Sequence, residues 1–226
     1  MPARTVRPLK PSEKKARNAE IFRDLLNVQP DIRDSRKLRV LEAVVSIIAK
    51  EGVDELTFER IGKSAGMARS HVVYYFPNRE TLVLAAMQFA ALSAQKAITQ
   101  RLAENEGVDF ETLLSAYVDA HFDWIAQHPE HASVYFLVYY EASFKKAARA
   151  VHTGVRDAGR RRIAAILKTG KRLSANEILA RVNAIQALIT GALIDVISTD
   201  SGGEYESKRR ETRAMAHLLA TAEGSP

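Results

Sequence analysis

The sequence predicts an all-α protein in which an N-terminal three-helix helix-turn-helix unit precedes a helical bundle. Three observations predict it. Apolar residues recur at helical spacing from about residue 36 onward, and no stretch shows the period-two alternation of a strand. Helix breakers and caps (Gly52, Thr57, Gly66, Pro77, Asn78) crowd into one short segment. The helices there must be short, and those after it are free to be long.

Residues 1–35 form a basic arm. Three prolines and many charges over 1–18 predict disorder. Ile21, Phe22, Leu25 and Leu26 allow a short amphipathic helix at 19–28, closed by Pro30, and Asp34 or Ser35 is placed to cap the next. Leu41, Val44, Val45 and Ile48 then define one face of a helix over 36–50, with Gly52 positioned for a left-handed stop. Thr57 caps a second helix carrying Phe58, Ile61 and Ala65, and Gly66 breaks it. A third short helix is closed by Pro77, and Asn78 caps a fourth that runs to about residue 104. Further helices are expected at about 110–127, from Pro129 to Phe144, at 145–170, from a Ser174/Glu177 capping box to about Ile197, and at 204–222. The division is therefore 1–35, arm; 36–82, helix-turn-helix; 83–226, bundle.

Composition narrows the class. A chain of 226 residues without cysteine has no disulfide and no cysteine-ligated zinc. Residues 1–40 hold 11 Lys+Arg against 5 Asp+Glu, and the remainder balances at 22 each, so the whole net charge of +6 lies at the N-terminal end. A basic arm beside a folded unit suggests a polyanion, against the plain alternative of a solvated tail. No apolar run approaches the ~18 residues of a membrane span and the N-terminus lacks a secretory stretch, so no membrane partner and a cytoplasmic location are expected.

The segment AGMARSHVVYYFPNRETL carries the chemistry. Val72 and Phe76, at i and i+4, suffice to dock a short helix, which leaves Arg69, Ser70, His71 and Tyr74 pointing outward. Donors and an apolar reader on an exposed helix after a glycine turn are what a major groove accepts. Helix starts at Thr57 and Asn78 offer N–H groups to phosphates, and Lys63 and Arg79 add charge.

These residues resemble the tetracycline-repressor (TetR) family of bacterial regulators, from about Leu38 to Leu84. The resemblance rests on Gly52, Thr57-Phe58-Glu59-Arg60-Ile61-Gly62, Ala65-Gly66-Met67-Ala68 and Val72-Val73-Tyr74-Tyr75-Phe76-Pro77-Asn78-Arg79-Glu80-Thr81-Leu82. Val73 departs from the family's usual tyrosine, Ala68 from Ser or Thr, His71 from Thr and Arg79 from Lys. By position Tyr75 resembles a phosphate contact and Tyr74 a base or methyl contact. The resemblance implies a homodimer joined through the last two helices, a near-palindromic double-stranded DNA operator, and a small-molecule effector in the bundle that releases a repressor; no cofactor is implied.

For the dimer interface, the apolar face Ile178, Val182, Ile185, Ile189, Leu193 and Val196 is a candidate; an intramolecular core helix is the plainer reading, and the two are not exclusive. For the effector, Tyr117, His121, Trp124, Tyr135 and Tyr139 would suit an apolar ligand with a polar handle, against ordinary core. His121, His128 and His131 lack ligand spacing for a metal. The basic residues Lys145, Lys146, Arg149, Arg156 and Arg160–Arg162 could bind an anionic ligand, but read first as a solvated helix face; the run Lys208–Arg210 and the pair Asp119/Asp123 also read as solvated surface. No enzyme signature is present. A different class of function stays open: a helical small-molecule-binding module or small enzyme whose helix-turn-helix is only scaffold.

Overall fold

The computed structural model describes residues 35–170, 173–199 and 204–222. The expected arm, its helix at 19–28 and the cap at Asp34 lie outside the described residues. Those residues are helical, without a strand among them. The elements are α1 (Ser35–Glu51), a 3-10 turn (Val53–Glu55), α2 (Phe58–Ala65), α3 (Arg69–Tyr75), α4 (Arg79–Glu104), α5 (Phe110–Gln127), α6 (Pro129–Ala142), α7 (Lys146–Leu167), α8 (Ala175–Ser198) and α9 (Tyr205–Thr221).

The caps fall where the sequence places them. Thr57 Oγ1 accepts from the Arg60 amide at 3.2 Å and Asn78 Oδ1 from the Thr81 amide at 2.8 Å. Ser174 and Glu177 form a reciprocal capping box, each side chain taking the other's backbone N–H. Gly52 differs: its φ of 92° and ψ of 168° are extended and mirror-handed, not left-handed helical, because the chain leaves α1 directly into the 3-10 turn. Two ends are earlier than expected: α6 stops at Ala142, and α7 stops at Leu167.

Two apolar clusters organise the bundle. One joins Leu41, Val44, Ile61, Val72, Phe76 and Leu82 to Val134, Val138 and Val151; α1 packs on α4 and α6, α2 packs on α1, and α3 packs on α2. The other gathers Ile98, Leu114, Phe122, Trp124, Ile163, Ile185 and Leu193 at the far end. Full burial of each large side chain contributes ~1.5–3 kcal/mol. Helix α4 runs through both clusters, and α1 is tied to α6 by Lys50–Glu130 at 2.9 Å.

Three expectations about surface charge are corrected here. Asp119 and Asp123 do not face solvent: Arg209 reaches both, at 2.8 Å each, and Arg213 reaches Asp119 at 3.2 Å. This network fastens α9 to α5, and it also removes Arg209 from the expected solvated run. Arg162 is buried, since α7 turns that position toward α4. The membrane expectation also needs a qualification: α4 and α8 are both long and apolar enough to span a bilayer by length and composition. In the fold α4 is a core helix with its alanine-rich side covered, while α8 keeps an uncovered face.

Candidate nucleic-acid interface and bundle cavity

The helix-turn-helix is built from backbone chemistry. Gly66 adopts φ 64°, ψ 41°, and the Met67 amide returns to the Gly62 carbonyl at 2.8 Å. This closes α2 with the left-handed stop that glycine permits. Gly62 is as constrained as Gly66, for a different reason: a Cβ there would stand 2.8 Å from the Met67 carbonyl oxygen. The turn is tight because position 62 has no side chain.

Val72 and Phe76 are fully covered, which seats α3 on the core. Arg69, Ser70, His71 and Tyr74 are exposed together on its outer side, and Tyr74 is 82% exposed. Tyr75 is half-buried, packed edge-on to Tyr74 at 5.4 Å. Thr57 and Asn78 act as caps; each takes up one N–H of its helix and leaves earlier ones open. Lys63, in the last turn of α2, is exposed. Two cations are already engaged. Arg69 Nε pairs with Glu59 at 2.6 Å, and Arg79 pairs with Asp54 at 3.3 Å while donating to the Val53 carbonyl. Both pairs are exposed and therefore weak, of order 0–1 kcal/mol, so a phosphate can displace them.

A narrow cavity of about 30 Å³ opens at the far end of the bundle, between α4, α5, α6, α7 and α8. That is room for about two waters. Tyr117, His121, Tyr135 and Tyr139 line it, as expected from sequence; Trp124 does not, because its indole N–H is turned to Ser93 Oγ at 3.1 Å. Sequence reasoning missed Gln95, Arg162, Gln186 and Thr190 on its wall. Gly159 also belongs there: a Cβ on it would reach to 3.1 Å from Gln186 Nε2 and 3.5 Å from the Tyr117 hydroxyl.

The cavity is polar in its details. His121 Nδ1 lies 2.8 Å from the Tyr117 carbonyl, which can only accept, so Nδ1 carries the proton and Nε2 is left as an acceptor. Burial pushes His121 down to about 4, keeping it neutral near pH 7, and the carbonyl bond opposes that shift only in part. Burial likewise raises the Tyr117 hydroxyl to about 12. Arg162 Nη2 donates to Thr99 Oγ1 at 2.7 Å and Nη1 donates to Gln95 Oε1. Burial lowers its pKa, yet a guanidinium stays charged. Among the described residues none of the ion pairs engages Arg162. No group of three or more His, Asp or Glu among the described residues could hold a metal ion.

The expected dimer residues Ile185, Ile189, Leu193 and Val196 are at most 8% exposed within one chain. They face this cavity and the surrounding core, and so are not open to a second copy. The uncovered side of α8 and α9 instead presents Leu179, Ile194, Met215 and Leu218.

Comparison with known proteins agrees with this geometry. The family model "Bacterial regulatory proteins, tetR family" matches residues 40–86, which spans α1 to the start of α4. The HTH-type transcriptional regulator EthR of Mycobacterium tuberculosis (strain H37Rv) is 25% identical over 96 residues, or 42% of this chain and 44% of that protein. The match thus spans less than half the length of that curated relative. Among solved structures, a protein from Saccharomonospora viridis described as a transcriptional regulator in complex with choline superposes at TM-score 0.69, with 21% identity, covering 81% of this chain and 96% of that one. A TetR transcription regulator from Haloarcula marismortui superposes at TM-score 0.69, with 17% identity and coverage of 83% and 97%. At these identities the structures share the fold alone. Residues 40–86 thus match the TetR family's helix-turn-helix domain, and the helices that follow share the fold of solved TetR-type regulators.

Proposed function

We propose that this regulator is a homodimeric, sequence-specific DNA-binding repressor of the cytoplasm, released from a near-palindromic operator by a small molecule. The observation that carries the reading is the outer face of α3, where Arg69, Ser70, His71 and Tyr74 stand exposed on a helix docked by Val72 and Phe76. One short helix reads few bases, and joining two heads raises effective concentration at paired half-sites. The uncovered apolar side of α8 and α9 supplies a surface for that pairing. Leu218 lies at the Arg181 end of the helix pair, where Arg181 bonds the Ala222 carbonyl, and Ile194 lies next to the Asp195–Lys208 contact.

The cavity supports release. One protein of this fold is described in complex with choline. A space that holds only about two waters must widen to admit a ligand. Its wall includes α4, the same helix that starts at Asn78 beside the DNA-reading head. Gln95 sits 16 residues beyond Arg79, about 24 Å along the axis. Widening therefore moves the heads through a rigid element.

The test is an electrophoretic mobility shift with genomic fragments and excess heparin or tRNA competitor. Retention of discrete duplex fragments at physiological salt supports the reading. Equal competition by tRNA and heparin would leave only a bundle that uses the helix-turn-helix as scaffold.

A further inference from the structure

The exposed face of α3 and the apolar side of α8 and α9 are accounted for by DNA and dimer contacts. The buried cation of the cavity is not. Arg162 is 6% exposed, and a guanidinium carries five N–H donors in a planar fork. Among the described residues two hydrogen bonds hold it, both to neutral oxygens, on Gln95 and Thr99. A buried cation satisfied only in part, on the wall of a cavity, is a site prepared for an anion.

We propose that the effector is a small organic carboxylate, taken by Arg162 in exchange for Gln95 and Thr99. Its body then lies against Ile98, Phe136, Val155 and Leu193, which line the same cavity. The tyrosine hydroxyls and the His121 Nε2 acceptor set the orientation of any further polar group. Two carboxylate oxygens match the fork in a way that one amide oxygen does not. The exchange also has a consequence for α4. In the free protein Arg162 ties α7 to α4 through Gln95 and Thr99; a carboxylate that takes those donors cuts the tie at the point where the cavity must widen.

The inference rests on the bundle being the effector domain. The experiment is isothermal titration calorimetry of the full chain with benzoate, phenylacetate and octanoate, each beside its primary amide, and with choline as a cationic probe. Wild-type, Arg162→Met and Arg162→Lys proteins are compared, and their unfolding midpoints are measured without ligand. At least one carboxylate is expected to bind wild type about tenfold or more tightly than its amide and than choline. Arg162→Met should lose that preference and Arg162→Lys should keep only part of it, while the unfolding midpoints show that each variant is folded under the titration conditions. The proposal is overturned by no saturable carboxylate binding, by carboxylates and amides binding alike, by choline binding best, or by the preference surviving in Arg162→Met. A wild-type protein that discriminates carboxylates but shows no duplex preference in the mobility shift would refute the regulator reading and leave the anion site standing.

Discussion

Arg69 Nε donates to Glu59 Oε1 at 2.6 Å, so the one arginine of the recognition helix is held by a carboxylate on the helix before it. Arg69 also lies over the Phe58 ring, 6.0 Å from its centroid. The free protein thus presents this cation pre-positioned and partly neutralised. Glu59→Gln removes the competing charge. It should raise duplex affinity severalfold at low salt and steepen the log–log salt dependence by up to about one unit. Fluorescence anisotropy at several salt concentrations reads both; an unchanged slope would mean that Arg69 does not meet phosphate.

His71 and Tyr74 are exposed without a structural task, unlike Thr57 and Asn78, which cap helices. Removing either should therefore change sequence preference rather than stability. His71→Ala and Tyr74→Ala are each expected to cost ~1–3 kcal/mol on the preferred operator and little on random duplex. Competition binding with single-base operator variants separates the two effects, and uniform weakening across sequences would reassign these residues to the backbone.

Gly62→Ala tests the turn itself. Its Cβ would stand 2.8 Å from the Met67 carbonyl oxygen, a backbone atom that cannot step aside. The expected outcome is a shift of α3 on α2, ~1–3 kcal/mol of lost stability and a larger loss of DNA affinity than of carboxylate binding. Urea unfolding monitored by circular dichroism, with anisotropy on the same samples, gives the comparison.

A pH effect follows from His121. Its folded pKa of about 4 lies below the ordinary value of 6.5, so the unfolded chain binds a proton first as pH falls. The stabilisation is present in full above about 6.5 and is lost progressively between 6.5 and 4. It amounts to ~3 kcal/mol at most. Urea midpoints measured from pH 7.5 to 4.5 should fall in wild type and fall less in His121→Gln; parallel profiles would place the titration elsewhere.

The proposed dimer surface is tested by charge. Ile194→Glu and Leu218→Glu each place a carboxylate on the uncovered side of the α8–α9 pair, where no core contact is lost. Sedimentation velocity should show the monomer in these variants and the dimer in wild type at the same concentration. A dimer that survives both substitutions would locate the interface elsewhere.

The local parts of this fold were legible in the sequence because their causes are local. Thr57, Asn78 and the Ser174/Glu177 box announce helix starts within three residues of themselves, and Val72/Phe76 against Arg69/His71/Tyr74 separate the inside of α3 from its outside. What escaped was set by partners far along the chain. Asp119 and Asp123 look like a solvated pair until Arg209, some 90 residues on, is folded against them. The periodic face of α8 could have met a second copy or its own bundle, and periodicity is identical in the two cases. Arg162 hid inside a run of three arginines, although it does fall on the stripe Val151, Val155, Ala158, Gly159 and Ile166 that α7 buries. Weighing each charge by its helical phase would have singled it out.

Selection of bound duplexes from a random-sequence pool tests the central claim most directly. The account predicts enrichment of two related half-sites in inverted orientation, their centres one helical turn or a multiple apart, and loss of that enrichment with Tyr74→Ala. A pool that stays unenriched, or that converges on a single unpaired site indifferent to α3, would contradict it.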